Sequence, residues 1–358
     1  MFWYLFFATV PIWVSLAVSF SHKKSIKLND KAKRNFLLWC GLFMFVIIAF
    51  RHKEVGSNDS QNYFNNWELL SGFTFDNLMA FMQESSFEKG YLLFVWTFSH
   101  VFPEGQFVFI ISALIFTIAV CRFIYINSED PELSFVMFVC LGLYSFMVQG
   151  LRQALAMCLC LFAIEFCKKR KLIPFILLVL LATTFHTSAI VFLVVYFIYG
   201  FTLNIRTAIA SLAMAGILIS FSGPIATIGN MIFEREYENE VETGGFVAVA
   251  IYVIILLVAI TFSGSRKKDK NYSFFTFITF LGAVFYVMRY TGVLAAERVS
   301  FYFMFGQIIA LPNAISRFDK HVSFIIKCAV IVLCIALFAY RLNGDGLVIY
   351  RFFWQELI

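Results

Sequence analysis

The sequence predicts an all-α, polytopic membrane helix bundle, and three observations carry that prediction. Hydrophobic residues make up 61% of the 358 and charged residues 14%, with a mean hydropathy of +0.83. A soluble domain is nearer half apolar and a quarter charged, so there is too little polar surface here to coat a water-soluble globule. Apolar stretches of about 17–25 residues recur along the chain, the length that crosses a hydrocarbon core as a helix. The runs are continuously apolar rather than alternating, which argues against a membrane β-barrel.

Taken in order, the first run (1–20) starts at the initiator Met and lacks a preceding basic flank. Its basic flank follows it as Lys23, Lys24, Lys27, Lys31, Lys33 and Arg34, against Asp30 alone. This reads as an uncleaved first span with its N-terminus outside. Three more basic connections follow: Lys168-Lys169-Arg170-Lys171, Arg266-Lys267-Lys268-Asp269-Lys270, and the Arg317–Lys320 turn continued by Lys327. Placing all four in the cytoplasm fixes the parity of the spans between them. About twelve spans then fall near 1–20, 36–50, 105–126, 133–150, 151–167, 172–185, 187–200, 205–222, 245–263, 272–292, 298–316 and 322–340. The apolar piece Tyr91–Phe102 is too short for an untilted crossing and would break the parity, so it reads as a re-entrant or interfacial helix. The whole chain, 1–358, is expected to be a single transmembrane domain with outer loops near 51–90 and 223–245. The second of these carries Glu234, Glu236, Glu238, Glu240 and Glu242 with only Arg235 opposing, a solvated acidic face.

The eight cysteines (40, 121, 140, 158, 160, 167, 328 and 334) lie within or at the edges of apolar runs, and none forms a CxxC pair. They read as small apolar filler. No metal site, cofactor or disulfide framework is expected.

With the cytoplasmic clusters removed, few ionisable groups remain in or beside the spans, where a central charge costs about 2.5–3.5 kcal/mol on insertion scales. Arg51 closes the second span, and Asp59 and Tyr63 follow in Gly56-Ser57-Asn58-Asp59-Ser60-Gln61-Asn62-Tyr63. Glu88-Lys89-Gly90-Tyr91 leads into the short helix. Arg152-Gln153 interrupts a long apolar run, and His186 stands midway through another. Arg289 and Glu297-Arg298 flank the turn between the tenth and eleventh spans. The topology, drawn from the other charges, puts all of these at one face. Each has a plainer reading. An arginine at a span end snorkels, a histidine in a hairpin satisfies a hydrogen bond, and Asp59 beside Gly56 forms a turn. Together, several arginines and a histidine suit a diphosphate, which the guanidinium fork matches well. Asp59 or Glu88 is the candidate base for a sugar hydroxyl. No acidic pair has divalent-metal spacing, so arginine rather than metal is expected to neutralise charge. Outside the membrane there is no nucleotide, so a reaction there needs a lipid-linked activated donor.

At these residues the chain resembles Wzy-type bacterial polysaccharide polymerases of the EpsG-like branch. The resemblance runs from the basic first loop through the eleventh span. It rests on Arg51 with Gly56, Asp59 and Tyr63; Glu88-Lys89-Gly90-Tyr91; Leu151-Arg152-Gln153; His186-Thr187-Ser188-Ala189; and Glu297-Arg298 ahead of Phe301-Tyr302-Phe303. The first motif reads Gly-Ser-Asn-Asp where Gly-x-Asp is commoner, which displaces Asp59 by one residue. The resemblance implies a GT-C-like, metal-independent glycosyltransferase in the bacterial plasma membrane. Such an enzyme joins undecaprenyl-diphosphate-linked oligosaccharide repeat units on the non-cytoplasmic face, making O-antigen, capsule or exopolysaccharide. The lipid-linked oligosaccharide would be both donor and acceptor, with membrane lipid, a chain-length regulator and a flippase as partners and no nucleic acid. It implies that Arg152, Arg289 and Arg298, with Arg51, hold the donor diphosphate. Asp59 or Glu88 would act on the acceptor hydroxyl with help from His186, and Tyr63, Tyr91, Gln153, Glu297 and Tyr302 would complete the substrate site.

Two rivals belong to other classes. A lipid-linked oligosaccharide flippase would want polar residues on both sides of the midplane, or discontinuous helices in repeated halves. A membrane O-acyltransferase acting on a surface polysaccharide would want an Arg-His pair early in the chain on the cytoplasmic side. Arg51-His52 is the nearest candidate, and this topology puts it outside.

Overall fold

Aspartates start three of the helices. Asp130 accepts from Leu133 N at 3.0 Å with Pro131 following it, Asp269 accepts from the amides of Asn271 and Tyr272, and Asp319 from those of His321 and Val322. A carboxylate there satisfies amides that have no partner in the first turn and opposes the positive end of the helix dipole. The computed structural model describes residues 6, 9–15, 30–56, 58–224, 227, 246–262, 269–291, 293–344 and 350–355. The acidic stretch 234–242 and the basic residues 266–268 lie outside the described residues, as do Lys23, Lys24 and Lys27.

Among the described residues the architecture is all helical, with two isolated bridges and no sheet. After a helical stretch at 9–15 come α1 (Asp30–Ala49), α2 (Asn58–Ser71), α3 (Phe75–Glu84), α4 (Lys89–Ser99) and α5 (Phe107–Asn127). Next are α6 (Pro131–Cys140), α7 (Leu143–Gln149), α8 (Leu151–Lys168) and α9 (Leu172–Thr183). A 3-10 helix (Thr187–Val194) runs into the single turn α10 (Val195–Ile198). The rest are α11 (Ile205–Ser220), α12 (Phe246–Thr261), α13 (Lys270–Met288), α14 (Leu294–Met304), α15 (Gln307–Ile315) and α16 (Lys320–Gly344). One buried core extends from α1 through α16. In it α1 packs along α5, α8 on α5 and α9, α13 on α12 and α14, and α16 on α6. Small residues permit these approaches. A Cβ on Gly41 of α1 would stand 2.9 Å from Cys121 Sγ of α5.

A membrane bundle is what this composition and these helices make. Four helices are long and apolar enough to cross a bilayer by themselves: Asp30–Ala49, Phe107–Asn127, Lys270–Thr291 and Lys320–Leu342. A fifth crossing is available if α6 and α7 count as one span bent by 52°. The bend falls at Gly142, whose φ of +102° only glycine adopts without strain. Of the other expected spans, 1–20 lies largely outside the described residues and the rest coincide with shorter helices or broken pairs, with His186 and Gly306 interrupting the apolar runs at 172–200 and 298–316. The segment 187–200, expected as an α-helical span, is eight residues of 3-10 helix and one α turn. The break falls at His186, whose extended backbone (φ −157°, ψ 118°) closes off α9. The short piece near 91–102 is α4, eleven residues long, or about 16 Å, half a hydrocarbon core. The connection 51–90, expected as a loop, is largely helical, with α2 and α3 inside it.

Three of the four basic connections meet at one end of the bundle, around the turn between α5 and α6. Lys33 Nζ donates to Ser128 O at 2.7 Å and Lys168 Nζ to Asn127 Oδ1 at 2.7 Å. Lys327 bridges Asp130 and Glu132. Asn313 joins α15 to the same turn through Glu129 N and Asn127 O. At the far end the residues 350–355 return to α1. Phe352 forms an antiparallel bridge with Arg51, His52 N donates to Arg351 O at 2.8 Å and Phe353 N to Phe50 O at 2.9 Å. Tyr350 Oη reaches Ile47 O at 2.8 Å, and Arg351 pairs with Glu54 at 2.7 Å.

Candidate functional site

Glu88 is the residue immediately before α4, a position from which a carboxylate normally caps the helix. It makes no such cap. Its carboxylate, 8% exposed as a residue, turns instead toward two other elements. Arg152 Nη1, in the first turn of α8, donates to Oε2, and His186 Nδ1 lies 3.0 Å from Oε1. The amide of Thr187 adds a longer contact to Oε1 at 3.4 Å. A carboxylate on Nδ1 orients the imidazole and favours the N–H on that nitrogen.

The floor beneath this group is held by a close approach. Tyr91 N donates to Thr184 O at 3.2 Å, and a Cβ on Gly90 would stand 2.1 Å from Thr184 Oγ1. Only glycine lets α4 lie this near the end of α9. The Arg152 guanidinium stacks 4.4 Å over the ring of Phe87, close enough to the Tyr63 hydroxyl to act on its charge. Tyr63 in turn packs against Phe87 and Tyr91, at ring separations of 6.3 and 5.9 Å. Burial pushes the Tyr63 phenol above its ordinary range, with Arg152 opposing. Tyr91 Oη and Arg152 Nε are buried here and have no hydrogen-bond partner among the described residues.

The next residue on α8 extends the site to α14. Gln153, buried, donates from Nε2 to Arg298 O at 2.5 Å. The Arg298 side chain is exposed and forms no hydrogen bond or ion pair with any described residue. One turn further along α14, the buried Tyr302 accepts from Ser188 Oγ at 3.3 Å, which ties α14 to the 3-10 helix. The structure therefore joins Tyr63, Glu88, Tyr91, Arg152, Gln153, His186, Arg298 and Tyr302 into one region. The first turns of α4, α8 and the 3-10 helix all belong to it, and the dipoles at helix N-termini favour a bound anion.

Other expected site residues are placed differently. Asp59 is exposed in the first turn of α2, near enough to Tyr63 to act on its charge. Arg51 is 1% exposed; its Nη1 donates to Val55 O at 3.1 Å and Val148 O at 2.6 Å, and its guanidinium lies 4.2 Å from the Phe109 ring centre. It braces the end of α7, just ahead of Arg152. Arg289, also buried, donates to Glu297 Oε1 at 2.7 Å and Tyr286 Oη at 3.0 Å, which makes Arg289 and Glu297 a pair. Of the four arginines, Arg298 alone presents an exposed guanidinium. Among the described residues no group of three or more His, Cys, Asp or Glu is placed to hold a metal ion. Phe87 and Tyr286 were not anticipated from sequence, since nothing local distinguishes an aromatic under an arginine among the 47 phenylalanines and 15 tyrosines of the chain.

The site residues share one end of the bundle, away from the lysine network. On α8, Arg152 and Lys168 stand at opposite ends of 18 residues, about 24 Å apart along the axis. A model of the EpsG family matches residues 34–352, nearly the whole chain and all of the site. No match was found among curated proteins or solved structures.

Proposed function

The chain belongs to the EpsG family, and from that premise we propose that it is a polysaccharide polymerase, a glycosyltransferase working on lipid-linked oligosaccharides at the non-cytoplasmic face of the bacterial plasma membrane. The family supports a polymerase-type membrane protein of polysaccharide synthesis. The observation that carries the finer reading is the Glu88–Arg152–His186 cluster beside the exposed Arg298, at the end of the bundle opposite the lysines. Positive charge concentrated in lysines at one end fits a cytoplasmic side there. The shorter apolar helices and broken pairs would complete about twelve crossings in a GT-C-like arrangement.

In this reading Arg298 and Arg152, with the helix N-termini around them, hold the donor diphosphate and stabilise the charge that grows as the sugar departs. The buried Tyr91 Oη and Arg152 Nε are further donors within the same region. His186, oriented by Glu88, takes the proton from the attacking hydroxyl of the acceptor repeat unit, and Glu88 stabilises the resulting imidazolium. Both of Glu88's oxygens already have partners, which favours His186 over Glu88 as the base. Asp59, exposed on the neighbouring helix near Tyr63, would orient the acceptor sugar. Arg51, Arg289 and Glu297 support the site from behind.

The test is complementation of a deletion strain. Arg152→Ala and Arg298→Ala should abolish long-chain polysaccharide and leave single repeat units, with the protein still in the membrane. Normal chain lengths in both variants would sink the assignment. Loss of every transferred unit would instead favour a flippase, and full-length chains lacking acyl groups an acyltransferase.

A further inference from the structure

Beside the cluster, α3, α4 and the end of α9 enclose a cavity of about 1060 Å³, at the upper end of small-molecule pockets. Its walls are apolar: Leu78, Met79 and Met82 from α3, Leu93 and Phe94 from α4, and Leu181 from α9. At its rim Met79, Leu93 and Leu181 are 45%, 46% and 46% exposed, so the slot is open along that side. Its other end is polar. Glu88, Lys89 and Thr187 line it there, and this is the same Glu88 that holds Arg152 and His186. The spacing of the walls is fixed by Gly90 against Thr184 and by Trp96 Nε1, which donates to Phe73 O at 2.9 Å and ties α4 to the segment before α3.

An apolar slot, open along one side, that ends at Lys89, at Glu88 with Arg152 behind it, and at the first turns of α4 and the 3-10 helix has the polarity of an amphiphile with a charged head. Resting on the polymerase reading above, we infer that this groove receives the polyprenyl chain of the lipid-linked donor, its diphosphate lying at the Lys89–Arg152 end. The eleven-residue α4 is then short for a reason. A helix that stops halfway through the hydrocarbon leaves room beneath it for a long chain to enter from the membrane. The methionines suit a flexible, branched hydrocarbon, because their unbranched side chains repack around irregular shapes. An ordinary phospholipid would fill the apolar slot equally well. It brings one phosphate to that end where the donor brings two, so competition between the two lipids decides the occupant.

The full chain, purified in detergent, is photolabelled with undecaprenyl diphosphate carrying a diazirine on its tail, and the labelled peptides are identified by mass spectrometry. Label is expected within 75–98 and 181–187, displaced by unlabelled undecaprenyl diphosphate and spared by geranyl diphosphate and phosphatidylglycerol. Met79→Trp and Leu93→Trp fill the slot at its rim, away from the cluster, and each should cut labelling by about tenfold, or about 1.4 kcal/mol of binding. Equal displacement by phosphatidylglycerol, or unchanged labelling in both tryptophan variants, would overturn the groove assignment. Groove labelling together with normal polymerisation by Arg152→Ala would overturn the polymerase reading and leave the groove standing. Scattered labelling with an inactive Arg152→Ala would overturn the groove alone.

Discussion

Arg152 and His186 meet on the two oxygens of one carboxylate, that of Glu88, with His186 Nδ1 3.0 Å from Oε1 and Arg152 on Oε2. Both partners are largely buried, with side-chain exposures of 17% for Arg152 and 5% for Glu88. Glu88→Gln keeps the shape and removes the charge, which leaves a buried guanidinium uncompensated. Breaking such a pair from one side costs about 3–5 kcal/mol. The variant should unfold at a clearly lower temperature in detergent and make no long-chain polymer. The double variant Glu88→Leu, Arg152→Leu should lose less stability than the two singles summed. Strict additivity in that cycle would show that the pair does not exist.

Arg298→Ala should separate activity from stability. Its side chain is exposed and bonded to no described residue, so the change in unfolding free energy should stay within about 0.5 kcal/mol. Losing a charge-assisted contact to a diphosphate should slow transfer of lipid-linked units by about 10–100-fold. Arg298→Lys should recover only part of that rate, because an ammonium cannot make the two parallel bonds of a guanidinium. A large drop in thermal stability for Arg298→Ala would assign it to packing.

Arg51→Ala should do the reverse. The side chain bonds the buried carbonyls of Val55 and Val148, and each carbonyl left without its donor costs about 1–3 kcal/mol. Gly56→Ala strikes the same place. Its φ is +121°, and a Cβ would lie 2.9 Å from Arg51 Nη1 and 2.8 Å from Ser60 Oγ, for a cost of about 1–3 kcal/mol. Both variants should show reduced folded protein in the membrane, with the activity per folded molecule reduced far less. Full stability in either would remove Arg51 from its bracing role.

Gly90→Ala tests the floor of the site. The new methyl would stand 2.1 Å from Thr184 Oγ1 and 2.8 Å from Thr184 O, so α4 must shift away from α9, at about 1–3 kcal/mol. Adding Thr184→Ala removes the hydroxyl but not the carbonyl, and should rescue stability only in part. Complete rescue, read by thermal unfolding, would mean that the backbone contact is looser than the geometry shows.

The residues that form the cluster were legible because each is a polar group where the surrounding pattern is apolar. Glu88, Arg152, Gln153, His186 and Arg298 all come together, and Tyr302, which only the resemblance pointed to, joins them through Ser188. Who binds whom was not legible, since it depends on how helices far apart in sequence lie side by side. The same rule could not tell a cation facing outward from one bracing the backbone. Arg51 and Arg289 stand out in sequence as strongly as Arg298, yet one clamps two carbonyls and the other holds Glu297. The 3-10 helix was hidden as well. Thr187–Val194 is as apolar as an α-helical span, and what breaks it is the tertiary hold of Glu88 on His186.

The return of residues 350–355 to the end of α1 bears on how the molecule is assembled. Tyr350 and Ile47, which it bonds, are 303 positions apart. Contacts of such separation close a very long loop and form late. The backbone of Arg51 therefore waits for Phe352 until every intervening helix has been made and inserted. The end of α1 and Arg51 just after it, behind the site, are among the last parts of the fold to close.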